Sequence, residues 1–135
     1  MPSTGVATGM SSLSWPSFLK NFPSGHLVVA VAVDVGADEI GSRRLRGLRD
    51  LLRQVVGGLS LRGAFALTVS RAAGFPEILC AFEVESDARL LTRLVRARIA
   101  EGYPGFASQY VFRLDDPLEA ALRAGRWSNG DIDQR

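Results

Sequence analysis

The sequence predicts an α+β fold: a four-stranded antiparallel sheet with two helices on one face and a short C-terminal helix. Three observations predict it. The chain has 135 residues, room for one hydrophobic core and too few for two ordinary domains. Its apolar pattern switches between a period of two and steps of three and four, in the order strand, helix, strand, strand, helix, strand. Gly, Pro or a capping acid stands at most of those switches. An apolar share of 47% against 22% charged is the balance of a globular domain.

In residues 1–14, nine are Ser, Thr, Gly or Pro, too polar to offset the entropy of ordering them. Trp15, Phe18, Leu19 and Phe22 follow between Pro16 and Pro23. Aromatics this dense are costly to leave in water, so they are expected to dock on the domain or on a partner. The chain therefore divides into an N-terminal tail over 1–24 carrying a docking segment at 15–23, a folded domain over 25–125, and a tail over 126–135.

Leu27–Val35 is rich in Val and reads as a strand buried on both faces, hence central. A helix opens at Ala37 or Asp38 and runs to about Val56, where Gly57-Gly58 stops it. Leu45, Leu48, Leu52, Val55 and Leu59 form its apolar stripe, with Arg43, Arg46, Asp50 and Arg53 opposite. Ala64–Ser70 alternates as a second strand, and Arg71–Pro76 makes a hairpin link to a third strand, Glu77–Glu85. Ser86 and Asp87 supply a cap for a second helix reaching about Glu101. That helix places Leu90, Leu91, Leu94, Val95 and Ile99 inward and Arg89, Arg93 and Arg96 outward. Phe106–Leu114 is the fourth strand, and Asp115-Asp116-Pro117 opens a short helix closed by Gly125.

The order β-α-β-β-α-β resembles the ferredoxin-like sandwich, with strand order 4-1-3-2. Both long helices then cover one sheet face. The large residues Phe65, Leu67, Val69, Ile78, Cys80, Phe82, Val84, Tyr110 and Phe112 are assigned to it, with Val29, Val31 and Val33. The helix-free face receives Val28, Ala30, Ala32, Ala64, Ala66, Thr68, Leu79, Ala81, Gln109 and Val111, with Asp34, Glu83 and Arg113 around them. A solvated face normally shows Lys, Glu, Thr and Gln across its middle. This smooth apolar floor suits something lying flat on it: a second copy of the chain, the Trp15–Phe22 arm, or a small ligand.

Chemistry-bearing motifs are scarce. No zinc spacing, phosphate loop or Ser/His/Asp order is present, so no catalytic residue, metal or cofactor is assigned. The only cysteine, Cys80, sits in an apolar run and reads as a small buried hydrophobe in a reducing compartment. The only histidine, His26, precedes the first strand. Asp34 ends the first strand, and Glu77 is brought near it by antiparallel pairing, a marginal two-acid site. The longest apolar stretch, Leu27–Val33, is far short of the roughly 20 residues that span a bilayer. With no basic start and compact apolar segment, a cytoplasmic protein without membrane contact is expected. Fifteen Arg and one Lys against fourteen acids leave a net charge of +2, a weak case for nucleic acid.

The functional expectation is a small non-catalytic interaction or regulatory module. It forms a homodimer through the helix-free face and takes a small ligand there. One alternative is a small enzyme of the dimeric α+β barrel type acting through Tyr110, Cys80 or His26. A second is a nucleic-acid-associated protein using the helix-face arginines.

Overall fold

A computed structural model describes residues 12–125, 127–128 and 131–132. The tail expected over 1–14 lies mostly outside the described residues, and that over 126–135 lies partly outside them. The elements are α1 (Trp15–Asn21), β1 (His26–Ala32), α2 (Glu39–Gly57), β2 (Phe65–Ser70) and β3 (Glu77–Phe82). Then come α3 (Glu85–Val95), β4 (Arg98–Ile99), β5 (Ser108–Leu114), α4 (Asp116–Arg123), β6 (Trp127–Ser128) and β7 (Asp131–Ile132).

Local chemistry sets the helix starts. Ser14 accepts from the Ser17 N–H at 3.3 Å and Pro16 occupies the first turn of α1. The Asp38 carboxylate accepts from the Gly41 N–H at 2.8 Å to open α2. Gly41 has no alternative: a Cβ there would stand 1.9 Å from the Gly36 carbonyl oxygen. Asp115 caps α4 by accepting from Leu118 at 3.1 Å. Asp87 behaves differently from the expected cap. The helix begins at Glu85, and the buried Asp87 carboxylate accepts from the backbone N–H of Arg62 (2.9 and 3.0 Å) and of Gly63 (2.9 Å). It ties the loop before β2 to the first turn of α3.

The main sheet has five strands in the order β2-β3-β1-β5-β4. β1 pairs antiparallel with β3 and parallel with β5, while β4 runs antiparallel to β5. The general α+β class holds, but the sheet is mixed rather than the expected antiparallel ferredoxin-like arrangement. The reason lies at the end of α3. Arg96 takes a left-handed conformation (φ 58°), which stops the helix at Val95 instead of near Glu101. The chain then makes the short outer strand β4, reverses through residues 100–107, and inserts β5 between β4 and β1. The strand beside β1 is thus reached one reversal later than expected, so it runs the other way.

Two apolar clusters sandwich the sheet. The larger lies under the helices: Val28, Ala30 and Ala32 of β1 meet Phe65, Leu67, Ile78, Cys80, Phe82 and Phe112. From above they meet Leu48, Leu52, Leu91 and Leu94. The smaller lies on the other face and gathers Phe18, Leu27, Val29, Ala66 and Ala81.

The assignment of Val28, Ala30 and Ala32 to the helix-free face is therefore corrected: β1 is turned over. Val28 pairs with both Cys80 and Tyr110, and directly paired residues point to the same side. Large Phe and Leu side chains already fill the helix side, leaving room there for alanines. The thinner opposite layer takes Leu27 and Val29.

Candidate functional site

The pairing registers lay out the helix-free face row by row. Ala66, Ala81, Leu27 and Gln109 form one row; Thr68, Leu79, Val29 and Val111 the next; Ser70, Glu77, Val31 and Arg113 the last. Arg98 pairs with Val111 and so joins the second row from the outer edge.

The chain itself covers the first row and part of the second. α1 lies across the β2 end, where Phe18 is 0% exposed and Trp15 and Phe22 are half-buried. Gly25 lets it settle, since a Cβ there would be 2.9 Å from Phe18 Cε1. The loop of residues 100–107 forms a strap from the other side. Gln109 holds it twice, accepting from the Tyr103 N–H at 2.9 Å and donating to the Tyr103 carbonyl at 2.7 Å. Ala107 donates to the Gly25 carbonyl at 2.8 Å. The Tyr103 hydroxyl donates to the Glu77 carboxylate, which is 1% exposed. Burial, followed by this bond and the carboxylate's charge, pushes the Tyr103 phenol up to about 12. Trp15 and Phe106 meet with ring centroids 6.3 Å apart, joining helix to strap.

The outer corner of the last two rows stays open. A cavity of about 520 Å³ lies there, against about 240, 250 and 160 Å³ for three others. It wraps the sheet edge, lined by Val31, Arg98, Val111 and Arg113 of the helix-free rows, by Val95 and Phe112 of the helix-side layer, and by Arg96 at the end of α3. β1, the end of α3, β4 and β5 each contribute. β4 pairs with β5 only at Tyr110 and Val111, so among the described residues Phe112–Leu114 continue as an edge with no outer strand. The Ala100 N–H bonds the Gln109 carbonyl, which turns the backbone groups of Gln109, and by alternation those of Val111 and Arg113, outward. At Arg113 they have outrun β4. Among the described residues, none of Arg96, Arg98 and Arg113 is ion-paired with a carboxylate.

Of the face residues assigned from the sequence, Ala66, Leu79, Ala81 and Val111 do lie opposite the helices, but Ala66 and Ala81 are fully covered; Ala64 precedes β2 and is buried. Only Val111 lines the open corner. In the docking arm Phe18 is the anchor, while Leu19 is 41% exposed and takes no part. Of the cavity's arginines, Arg113 is expected beside the face and Arg96 in an outward helix row, while Arg98 falls in the stretch expected to be helical up to about Glu101.

The alternatives meet mixed geometry. His26, Cys80 and Tyr110 share the helix face, with Val28 between the latter two. His26 Nδ1 is 2.8 Å from Ser108 Oγ. Burial pushes the Cys80 thiol up to about 12, which keeps it protonated and inert near neutral pH. Glu77 is latched to Tyr103, and Asp34 stands exposed at φ 59°. Among the described residues no three metal-ligating side chains cluster. Several helix arginines are engaged: Arg44 and Arg123 with Glu119, Arg49 and Arg53 with Asp50, and Arg89 with Glu85. No helix among the described residues is long and apolar enough to cross a membrane. Comparison with protein-family models, curated proteins and solved structures finds no match to this chain.

Proposed function

We propose that this domain is a non-catalytic binding module that takes a small organic molecule in the corner cavity between β1, β4, β5 and the end of α3. One observation carries the reading: at the β5 edge that α1 and the strap leave open, Val31 and Val111 from the helix-free face and Val95 and Phe112 from the helix side line a cavity of about 520 Å³. That volume falls in the usual range for small-molecule sites. The lining favours binding over catalysis. Valine, phenylalanine and arginine supply no group that exchanges a proton near neutral pH. The buried free thiol suits a reducing compartment such as the cytoplasm.

The test is amide chemical-shift mapping with a panel of small aromatic and aliphatic compounds, charged and neutral. Saturable shifts should centre on Val31, Val95 and Val111, and Val31→Trp, which fills the cavity, should abolish them. Binding that maps elsewhere, or survives Val31→Trp unchanged, would sink the reading.

Self-association is retained as a second reading, moved from the sheet face to its edge. β2 presents six neutral residues without proline at the sheet boundary, bridged from outside only where Ser12 meets Phe65 among the described residues. Such an edge is a template for another strand, and a second copy pairing there would make a continuous sheet. Because Leu13 bonds the Phe65 carbonyl, Val69 also turns its backbone outward. Val69→Pro removes that N–H while sparing the β3 ladder. Sedimentation equilibrium should show a dimer that the variant splits; a concentration-independent monomer in the parent chain ends this reading.

A further inference from the structure

We infer that the ligand of the corner cavity is an organic oxyanion, a carboxylate or phosphate carried on an apolar body; this rests on the ligand-binding reading above. Arg96 at the end of α3, Arg98 on β4 and Arg113 on β5 come from separate elements to one cavity. Their convergence is produced by the fold rather than by a basic run in the sequence. The left-handed turn at Arg96 swings the chain outward and sets Arg98 opposite Val111, one row from Arg113.

Five arginines elsewhere meet acids, among them Arg44 and Arg123 on Glu119 and Arg49 and Arg53 on Asp50, while others such as Arg43 and Arg46 stand exposed on α2. What sets the cavity apart is that three arginines line one space and, among the described residues, none of them is ion-paired with an acid. Like charges brought together repel unless an anion lies among them. The planar fork of a guanidinium fits the two oxygens of a carboxylate or phosphate. The outward N–H of Arg113, beyond the reach of β4, adds a backbone donor of the kind an extended oxyanion uses. Val31, Val95, Val111 and Phe112 supply the apolar part of the same lining and set the rest of the ligand. An oxyanion against the arginines and a hydrocarbon body against the valines and Phe112 satisfies both parts of the lining.

The experiment compares three probes of matched body by titration calorimetry: 2-naphthoate, 1-naphthyl phosphate and the neutral 2-naphthalenemethanol. One or both anions should bind at least ten-fold tighter than the alcohol, and that advantage should shrink between 50 and 200 mM salt, as exposed charges are screened. Arg98→Gln and Arg113→Gln should each remove most of the advantage while leaving the alcohol's affinity in place. Arg98→Lys should restore part of it, and Arg43→Gln on the far helix face should change nothing. Thermal unfolding of each variant confirms that it folds. Equal binding of alcohol and anions would overturn the oxyanion assignment while leaving the cavity a ligand site. Failure of all three probes together with the wider compound panel would overturn the ligand-binding reading, and this inference with it.

Discussion

Phe18→Ala tests whether the helix-free face is closed by the chain's own arm. Phe18 is wholly buried against Leu27, Val29, Ala66 and Ala81, and packs on Phe22 with ring centroids 5.1 Å apart. A buried phenylalanine removes on the order of 150–250 Å² from water, worth about 4–6 kcal/mol by area. Core Phe→Ala changes cost about 3–5 kcal/mol. Against a whole-domain stability of about 5–15 kcal/mol, that is a large share.

α1 has only seven residues, too few to hold a helix in isolation, so its docking free energy comes from this contact and few others. Two observables follow. Urea or thermal unfolding should show a loss of about 3–5 kcal/mol, or roughly 10–20 °C in midpoint for a chain of this size. If α1 lets go before the sheet does, the global loss is capped at the docking free energy of α1. Amide exchange then accelerates at Phe18 and Phe22, whose N–H groups bond Ser14 and Phe18 carbonyls at 2.9 and 2.8 Å. Binding of an apolar dye should rise in either case as Leu27 and Val29 become reachable. Leu19→Ala, on the exposed side of the same helix, should stay within about 0.5 kcal/mol of the parent. A Phe18→Ala loss below about 1 kcal/mol with unchanged exchange across 15–22 would refute the account of a closed face.

Three further outcomes are expected. The Tyr103 phenol is raised, so its contribution is complete below the ordinary tyrosine value near 10 and is lost as pH rises through about 12; tyrosinate absorbance should show a component with its midpoint near 12 that Tyr103→Phe removes. Glu119 is held below the usual carboxylate range, first by its hydrogen bond from Arg44 and then by that from Arg123 at 2.8 Å. Its contribution is therefore present above pH about 4.3 and lost as pH falls through its lower folded value, so Glu119→Gln should lower stability at pH 7 and flatten the acid limb of the stability profile. Cys80 should resist Ellman's reagent in the native protein and react stoichiometrically on unfolding; rapid native labelling would contradict its burial.

The legible parts of the fold are those where only one phase of the pattern is apolar. Phe65, Leu67, Ile78, Cys80, Phe82 and Phe112 lie on the helix side as their alternation requires, and Leu45, Leu48, Leu52 and Val55 form the buried stripe of α2. β1 was ambiguous because Leu27–Val33 is apolar in both phases, so alternation carries no information about which side faces the helices. The end of α3 was hidden for a related reason. Ile99 continues the three- and four-residue steps of Leu91, Leu94 and Val95, yet it is 82% exposed on β4. The break comes from a left-handed arginine at a position where glycine would be the usual sign. With that turn unseen, β4, the direction of β5 and the meeting of Arg98 with Arg113 all stayed out of view. The docking of the aromatic arm was half legible: hydrophobicity demanded a surface for it, and only the three-dimensional structure names Leu27, Val29, Ala66 and Ala81 as that surface.

The insertion of β5 between β1 and β4 also bears on how the chain is made. β1 is the middle strand, and its parallel partner arrives late: His26 must wait for Ser108, 82 residues further along. Until then a strand of Leu, Val and Ala carries a bare flank on the ribosome-bound chain. Pairings over such sequence separations close slowly, and an open apolar flank in the interval invites pairing with other nascent copies. Termination before residue 108 should give an insoluble fragment, whereas a chain that extends through Leu114 completes the sheet in one late step.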